Sequence, residues 1–196
     1  MKKIIDIGII GGSGYTGMEL VKILDRHKYS RIGLITSRSR EGEKIGGLYR
    51  ALRGGKYGDL RFTSSPGTPD LSGIDVLFLC LPPHKSMEYV RQMGKLKNTV
   101  IIDIGSDFRI KDPQAYEKWY GTRHILPEML DDFTYALPEI NPEAIKRSRL
   151  IANPGCYPTS VLLGLAPLLE SSYKIGDIVI DSKSGVSGAG RKLSLG

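Results

Sequence analysis

Near its start the chain runs Ile4-Ile5-Asp6-Ile7-Gly8-Ile9-Ile10 and passes directly into Gly11-Gly12-Ser13-Gly14-Tyr15-Thr16-Gly17. A short, nearly continuous apolar run is the pattern of a parallel strand buried on both faces. Met18, Val21 and Leu24 then recur at helical spacing. Gly12, Gly14 and Gly17 fit G-x-G-x-x-G in the order strand, turn, helix, the context that makes a weak motif a specific one. Gly12 permits the turn, Gly14 lets the backbone approach a pyrophosphate, and Gly17 allows the helix to pack closely on the strand. The expectation is an α/β fold, a Rossmann-type doubly wound parallel sheet that binds a dinucleotide.

Further apolar runs predict strands at 31–36, 74–81, 99–104 and 150–152, with one more at 177–181 and a short one at 60–63. Helices are predicted at 86–95, at 113–120 and from Asn141, where Asn-Pro-Glu supplies a cap, a first-turn proline and an acidic residue. Residues 41–73, rich in Gly, Ser and Pro, carry little further signal. The second strand ends in Ser37-Arg38-Ser39-Arg40, where an NAD-binding protein usually places an acid for the ribose hydroxyls. Hydroxyls and a guanidinium receive a 2′-phosphate that a carboxylate would repel, so NADP(H) is the expected coenzyme. The third strand ends at Pro82-Pro83-His84, at the sheet edge where such folds bind ligands. His84 either faces the coenzyme or bonds to nearby backbone. After the fourth strand comes Gly105-Ser106-Asp107-Phe108-Arg109, in which Arg109 either clamps an anion bidentately or pairs with Asp107.

A second constellation is Asn153-Pro154-Gly155-Cys156-Tyr157-Pro158-Thr159, followed by an apolar run from Ser160 to Leu169. Pro158 suits a first helical turn. Cys156 is therefore expected at or just ahead of a helix N-terminus, where free N–H groups and the helix dipole stabilise a thiolate. A lone cysteine is ordinarily a small buried hydrophobe, and Cys80 inside an apolar strand fits that description. Cys156 follows a tight turn in a polar setting and fits a nucleophile. Later, Ser184-Gly185-Val186-Ser187-Gly188-Ala189-Gly190-Arg191 offers backbone N–H groups and hydroxyls to an anion or a coenzyme.

The 196 residues carry 28 Lys and Arg against 21 Asp and Glu, a net charge of +7. The basic residues are scattered, except around Arg38–Arg53 and Lys146–Arg149, and accompany no nucleic-acid motif, so the field suits small anions such as a dinucleotide or an acyl phosphate. No apolar run approaches the ~18 residues of a membrane span, and no signal peptide is read at the N-terminus. The two distant cysteines fit a reducing cytoplasm. No metal is expected. One helix, one strand and one loop after residue 155 cannot bury a core of their own. Residues 1–150 are thus read as the dinucleotide-binding domain and 151–196 as the incomplete start of an α+β catalytic and dimerisation domain.

With these motifs assembled, GGSGYTG (11–17), GSDFR (105–109), YALPE (135–139), NPGCYPT (153–159) and SGVSGAGR (184–191), the chain resembles the N-acetyl-γ-glutamyl-phosphate reductase family, relatives of aspartate-semialdehyde dehydrogenase. The resemblance implies reductive dephosphorylation of an acyl phosphate in arginine biosynthesis, with Cys156 forming a thioacyl intermediate and releasing phosphate. It implies coenzyme contacts from Gly12, Ser13, Gly14, Tyr15, Thr16, Gly17, Ser37, Arg38, Ser187 and Gly188, and substrate contacts from Arg109 and Asn153. It also implies a dimer or tetramer, and a catalytic histidine in a second domain that His27, His84 and His124 do not match. A carrier-linked aminoadipyl-phosphate reductase of lysine synthesis and a non-catalytic NADP-binding protein are the competing readings; NPGCYPT and SGVSGAGR favour the arginine enzyme.

Overall fold

In the computed structural model, which describes residues 3–64, 69–94, 98–171 and 173–190, the apolar runs become the strands Ile5–Ile10 (β1), Ser30–Ile35 (β2), Val76–Leu79 (β3), Val100–Asp103 (β4) and Leu150–Ala152 (β6), and a two-residue strand that no apolar run announced, Thr134–Tyr135 (β5), joins them. They form one sheet in the order β2-β1-β3-β4-β6-β5, with every neighbouring pair parallel. The helices between them are Tyr15–Arg26 (α1), Ile45–Leu48 (α2), Lys85–Met93 (α3), Pro113–Tyr120 (α4) and Pro142–Arg147 (α5), and Cys156–Leu169 (α6) follows β6. This is a Rossmann-type α/β sheet. All six strands point the same way, so their carboxyl ends share one edge.

Why the strands read as continuous apolar runs is visible in the packing. Successive strand residues point to opposite faces. Ile7 and Ile9 of β1 join a cluster with Val21 and Leu24 of α1, Ile35, Ile45, Tyr49, Leu52, Tyr57 and Phe62. Ile10 joins the other cluster with Leu77, Leu79, Ile101, Val90 of α3, Phe108, Leu130 and Phe133. From Gly8 to Ile10 both faces of β1 are buried, so neither register position there can carry a polar residue cheaply. Phe108 and Phe133 stack at 3.8 Å between ring centroids, which closes the second cluster beyond the strand ends.

The structure corrects three expectations. Residues 60–63 form isolated bridges, Thr36 with Thr63 and Lys44 with Arg61, and no full strand. Residues 177–181 adopt no strand, because among the described residues no neighbour offers a ladder; Val179 is 93% exposed. Asn141 precedes α5 without capping it. Its amide instead accepts from Leu137 N (3.0 Å) and donates to Tyr135 O (2.7 Å), holding the 135–137 turn beside β5. The predicted end of α3 at residue 95 lies outside the described residues, and α3 ends at Met93.

One cap comes from far away in the chain. His84, the N-cap of α3, has φ 68° and makes no side-chain cap bond. The fully buried Asp107 does the capping: Oδ1 accepts from His84 N (2.8 Å) and Oδ2 from Met87 N (3.0 Å). Asp107→Ala leaves two buried amides unsatisfied, and its expected cost is about 3 kcal/mol of unfolding free energy, measurable by urea denaturation.

Candidate active site at the carboxyl edge of the sheet

The glycine turn between β1 and α1 is packed too tightly for side chains at three positions and is open at a fourth. A Cβ on Gly12 would fall 2.4 Å from Ile35, and one on Gly17 would fall 2.4 Å from the carbonyl oxygen of Gly12. Gly11 has φ 79° and abuts the Cys80 carbonyl. Gly14 has nothing within 4 Å of an added Cβ. No packing among the described residues requires a glycine there. The open space is a cleft of about 730 Å³ lined by Gly11, Ser13, Gly14, Ser37, Arg38 and Ser39 on one side. Ser37 Oγ donates to Ser13 Oγ at 2.8 Å, tying the end of β2 to the turn.

The opposite wall is the part that sequence reasoning missed. Leu81, Pro82, Lys85, Glu88, Tyr89 and Gln92, from the β3–α3 turn and α3, complete the cleft. The signal was the Pro-Pro-His stop at the strand's end, which located the edge but not the helix face that follows it. Tyr49 was missed too. Its hydroxyl donates toward the carbonyls of Gly12 (3.2 Å) and Gly14 (2.9 Å), fixing the turn from within residues 41–73. Tyr15 and Thr16 are exposed on α1 and stand outside the cleft lining. A second, shallow groove lined by Asp132, Arg147 and Arg149 lies at the far end of the sheet, away from these groups.

The cysteine turn sits at the same edge, after β6. Cys156 is the first residue of α6, with Gly155 as N-cap, and its side chain is exposed. Cys80 differs in kind: burial, reinforced by the Asp103 charge, pushes its thiol up to about 12 and keeps it neutral. Arg109 reaches across to the cysteine turn. Its Nε donates to Asn153 O (2.7 Å) and one Nη to Ile104 O (2.9 Å), while Nη1 lies 3.1 Å from where a Gly155 Cβ would be. The Asp107–Arg109 ion pair does not form, because both Asp107 oxygens are engaged by α3. Asn153 N donates to Asp103 O (2.8 Å), and its side-chain amide donates to Pro154 O (3.0 Å).

His84 Nδ1 lies 3.2 Å from the Tyr116 hydroxyl rather than against backbone. His124 is buried edge-on to Phe108 and Tyr116, and burial lowers its pKa. Ser187 and Gly188 lie in a short 3₁₀ turn, Val186–Ala189, exposed and apart from the cleft lining; Arg191 falls outside the described residues. Among the described residues no group of three or more His, Cys, Asp or Glu could hold a metal, and no helix is long and apolar enough to cross a membrane.

A glycine turn under a dinucleotide-sized cleft, with an exposed cysteine on the same sheet edge, defines a class. The chain belongs to the semialdehyde dehydrogenase family: the model of its NAD binding domain matches residues 6–148, and that of its dimerisation domain matches 156–196. Among curated relatives, the N-acetyl-gamma-glutamyl-phosphate reductase of Acinetobacter baumannii (strain AYE) is 45% identical over 195 residues, covering 98% of this chain and 55% of that protein. The enzyme of the same name from Halorhodospira halophila is 47% identical over 192 residues, covering 97% and 55%. The chain therefore spans about half the length of these relatives. The fold is shared with an aspartate semialdehyde dehydrogenase solved with NADP from Candida albicans, at TM-score 0.61 and 14% identity over 85% of this chain and 47% of that one.

Two outcomes follow from this geometry. Gly14→Ser is expected to leave unfolding free energy within about 0.5 kcal/mol, since serine caps as well as glycine, whereas Gly17→Ser is expected to cost more than about 2 kcal/mol by overpacking; chemical denaturation separates them. Asp103 is fully buried, with Oδ1 accepting from Ser86 Oγ (2.6 Å) and Gly105 N (2.9 Å) and Oδ2 without a partner among the described residues. Burial pushes its carboxyl up to about 6. The native state then holds a proton that the unfolded state has lost between pH ~4 and ~6, so stability falls as pH rises through that window. Asp103→Asn lacks this slope, and its stability relative to the parent is expected to gain up to about 3 kcal/mol between pH 4 and pH 7.

Proposed function

We propose that this chain carries the coenzyme site and the nucleophile of an NADP-dependent N-acetyl-γ-glutamyl-phosphate reductase acting in arginine biosynthesis. The observation that carries the reading is the shared edge: an exposed Cys156 opening α6, on the same parallel sheet whose glycine turn borders the cleft. The identity to reductases of that name supports the substrate, and the dimerisation-domain match supports a dimer or tetramer. The reading divides the chain at 150/151, with the second part incomplete, and places the protein in the cytoplasm.

The residues fit the coenzyme. The open space over Gly14 receives a pyrophosphate against backbone, and Ser37, Arg38 and Ser39 offer hydroxyls and a guanidinium to a 2′-phosphate. When bound, NADPH supplies the hydride that reduces the acyl group to an aldehyde. Gly12 and Gly17 shape the turn, Ser13 ties it to Ser37, and Tyr15 and Thr16 start the helix whose N–H groups face the phosphates. Ser187 and Gly188 serve the nicotinamide end.

Cys156 Sγ attacks the acyl carbon of the acyl phosphate. The carbon–oxygen bond to the phosphate breaks, phosphate leaves, and a thioester remains on the cysteine. After reduction, collapse of the tetrahedral adduct returns the thiolate and releases the semialdehyde. Arg109 keeps Asn153 and Gly155 in position and places positive charge beside the arriving anion. Asn153 lines the approach to the cysteine. Cys156→Ser is expected to lower phosphate-dependent NADP⁺ reduction with the semialdehyde by at least about a thousandfold, read at 340 nm in the full-length protein, with NADPH binding retained. A serine variant that keeps its activity refutes the nucleophile assignment.

A further inference from the structure

The α3 wall of the cleft carries the one carboxylate in its lining among the described residues, Glu88, and that carboxylate is occupied. Lys85 Nζ lies 2.9 Å from both Glu88 oxygens. Both side chains are 43% exposed, and both line the same cleft as Ser37, Arg38 and Ser39. The charged residues of the lining are thus Arg38, Lys85 and Glu88, two cations and one anion. An i,i+3 pair at this exposure does little for the helix itself. Its place in the cleft gives it another consequence.

A free carboxylate in a dinucleotide cleft accepts hydrogen bonds from ribose hydroxyls and repels a 2′-phosphate, which is how such folds favour NAD. We propose that Lys85, by engaging both oxygens of Glu88, masks that carboxylate and so sets the preference of the cleft for the phosphorylated coenzyme. Arg38 and the serines supply attraction; Lys85 removes the opposing charge. Selectivity therefore has a repulsive component held in check as well as an attractive one. The inference rests on the dinucleotide reading of the cleft and assigns its specificity to a helix outside the glycine motif.

The test is equilibrium titration of the full-length protein with NADPH and with NADH, followed by calorimetry, for the parent, Lys85→Met, Glu88→Gln and the double variant. Melting curves confirm that each is folded. Lys85→Met is expected to weaken NADPH about tenfold and to change NADH by less than about twofold. Glu88→Gln is expected to keep the NADPH preference, and the double variant to recover NADPH affinity to within about threefold of the parent. Equal losses for both coenzymes in Lys85→Met, no loss, or a double variant no better than Lys85→Met alone overturns the masking role. A parent that binds both coenzymes equally overturns it while leaving the dinucleotide reading intact. A parent that binds neither removes that reading and the inference with it.

Discussion

A carboxylate with no solvent exposure must find its hydrogen bonds inside the protein, and Asp107 finds them on the first amides of a helix more than twenty residues upstream. That pair of bonds joins the two halves of the site. The helix it caps forms one wall of the cleft over the glycine turn. The loop it belongs to sends Arg109 to the cysteine turn through the Asn153 carbonyl. The left-handed backbone at His84 is part of the same contact, because it lets the turn present its amide N–H to Asp107 Oδ1. The cleft wall and the cysteine turn are thus both tied to the loop that carries this one buried anion.

The charges around the edge are sorted by solvent. Asp103 and Asp107 are buried beneath the turns, where they organise backbone, and burial keeps the Cys80 thiol protonated beside them. Arg38 and Lys85 line the cleft, and Arg109 is half-buried against the cysteine turn. The thiol at the start of α6 is exposed, as the proposed nucleophile requires.

Local pattern carried the sheet. β1 to β4 and β6 are short apolar runs because both faces are covered, and an apolar run is legible without knowing what covers it. The glycine turn was legible for the same reason, since its packing partners Gly12, Gly17 and Ile35 lie within one strand–turn–helix–strand unit. Partnership across long separations was not legible. Asn141 looks like a cap, yet Tyr135 and Leu137 offer it better bonds. Residues 177–181 have the composition of a strand, but a strand is a relation between two segments. Lys85 and Glu88 read as an ordinary solvated pair on a helix, and only the fold places them in the cleft.

Residues 44–63, nearly silent as sequence, are bound to the nucleotide half at several points. Tyr49 holds the glycine turn, the Tyr57 hydroxyl bridges Ile32 N and Ser30 O, and Thr63 meets Thr36 at the end of β2. The unit that evolution or an engineer can move is therefore larger than the motif. A graft of the strand, turn and helix alone would carry a fingerprint without the tyrosines that set its shape. The excursion and the turn form one packing unit, so a change in the shape of one is met by the other.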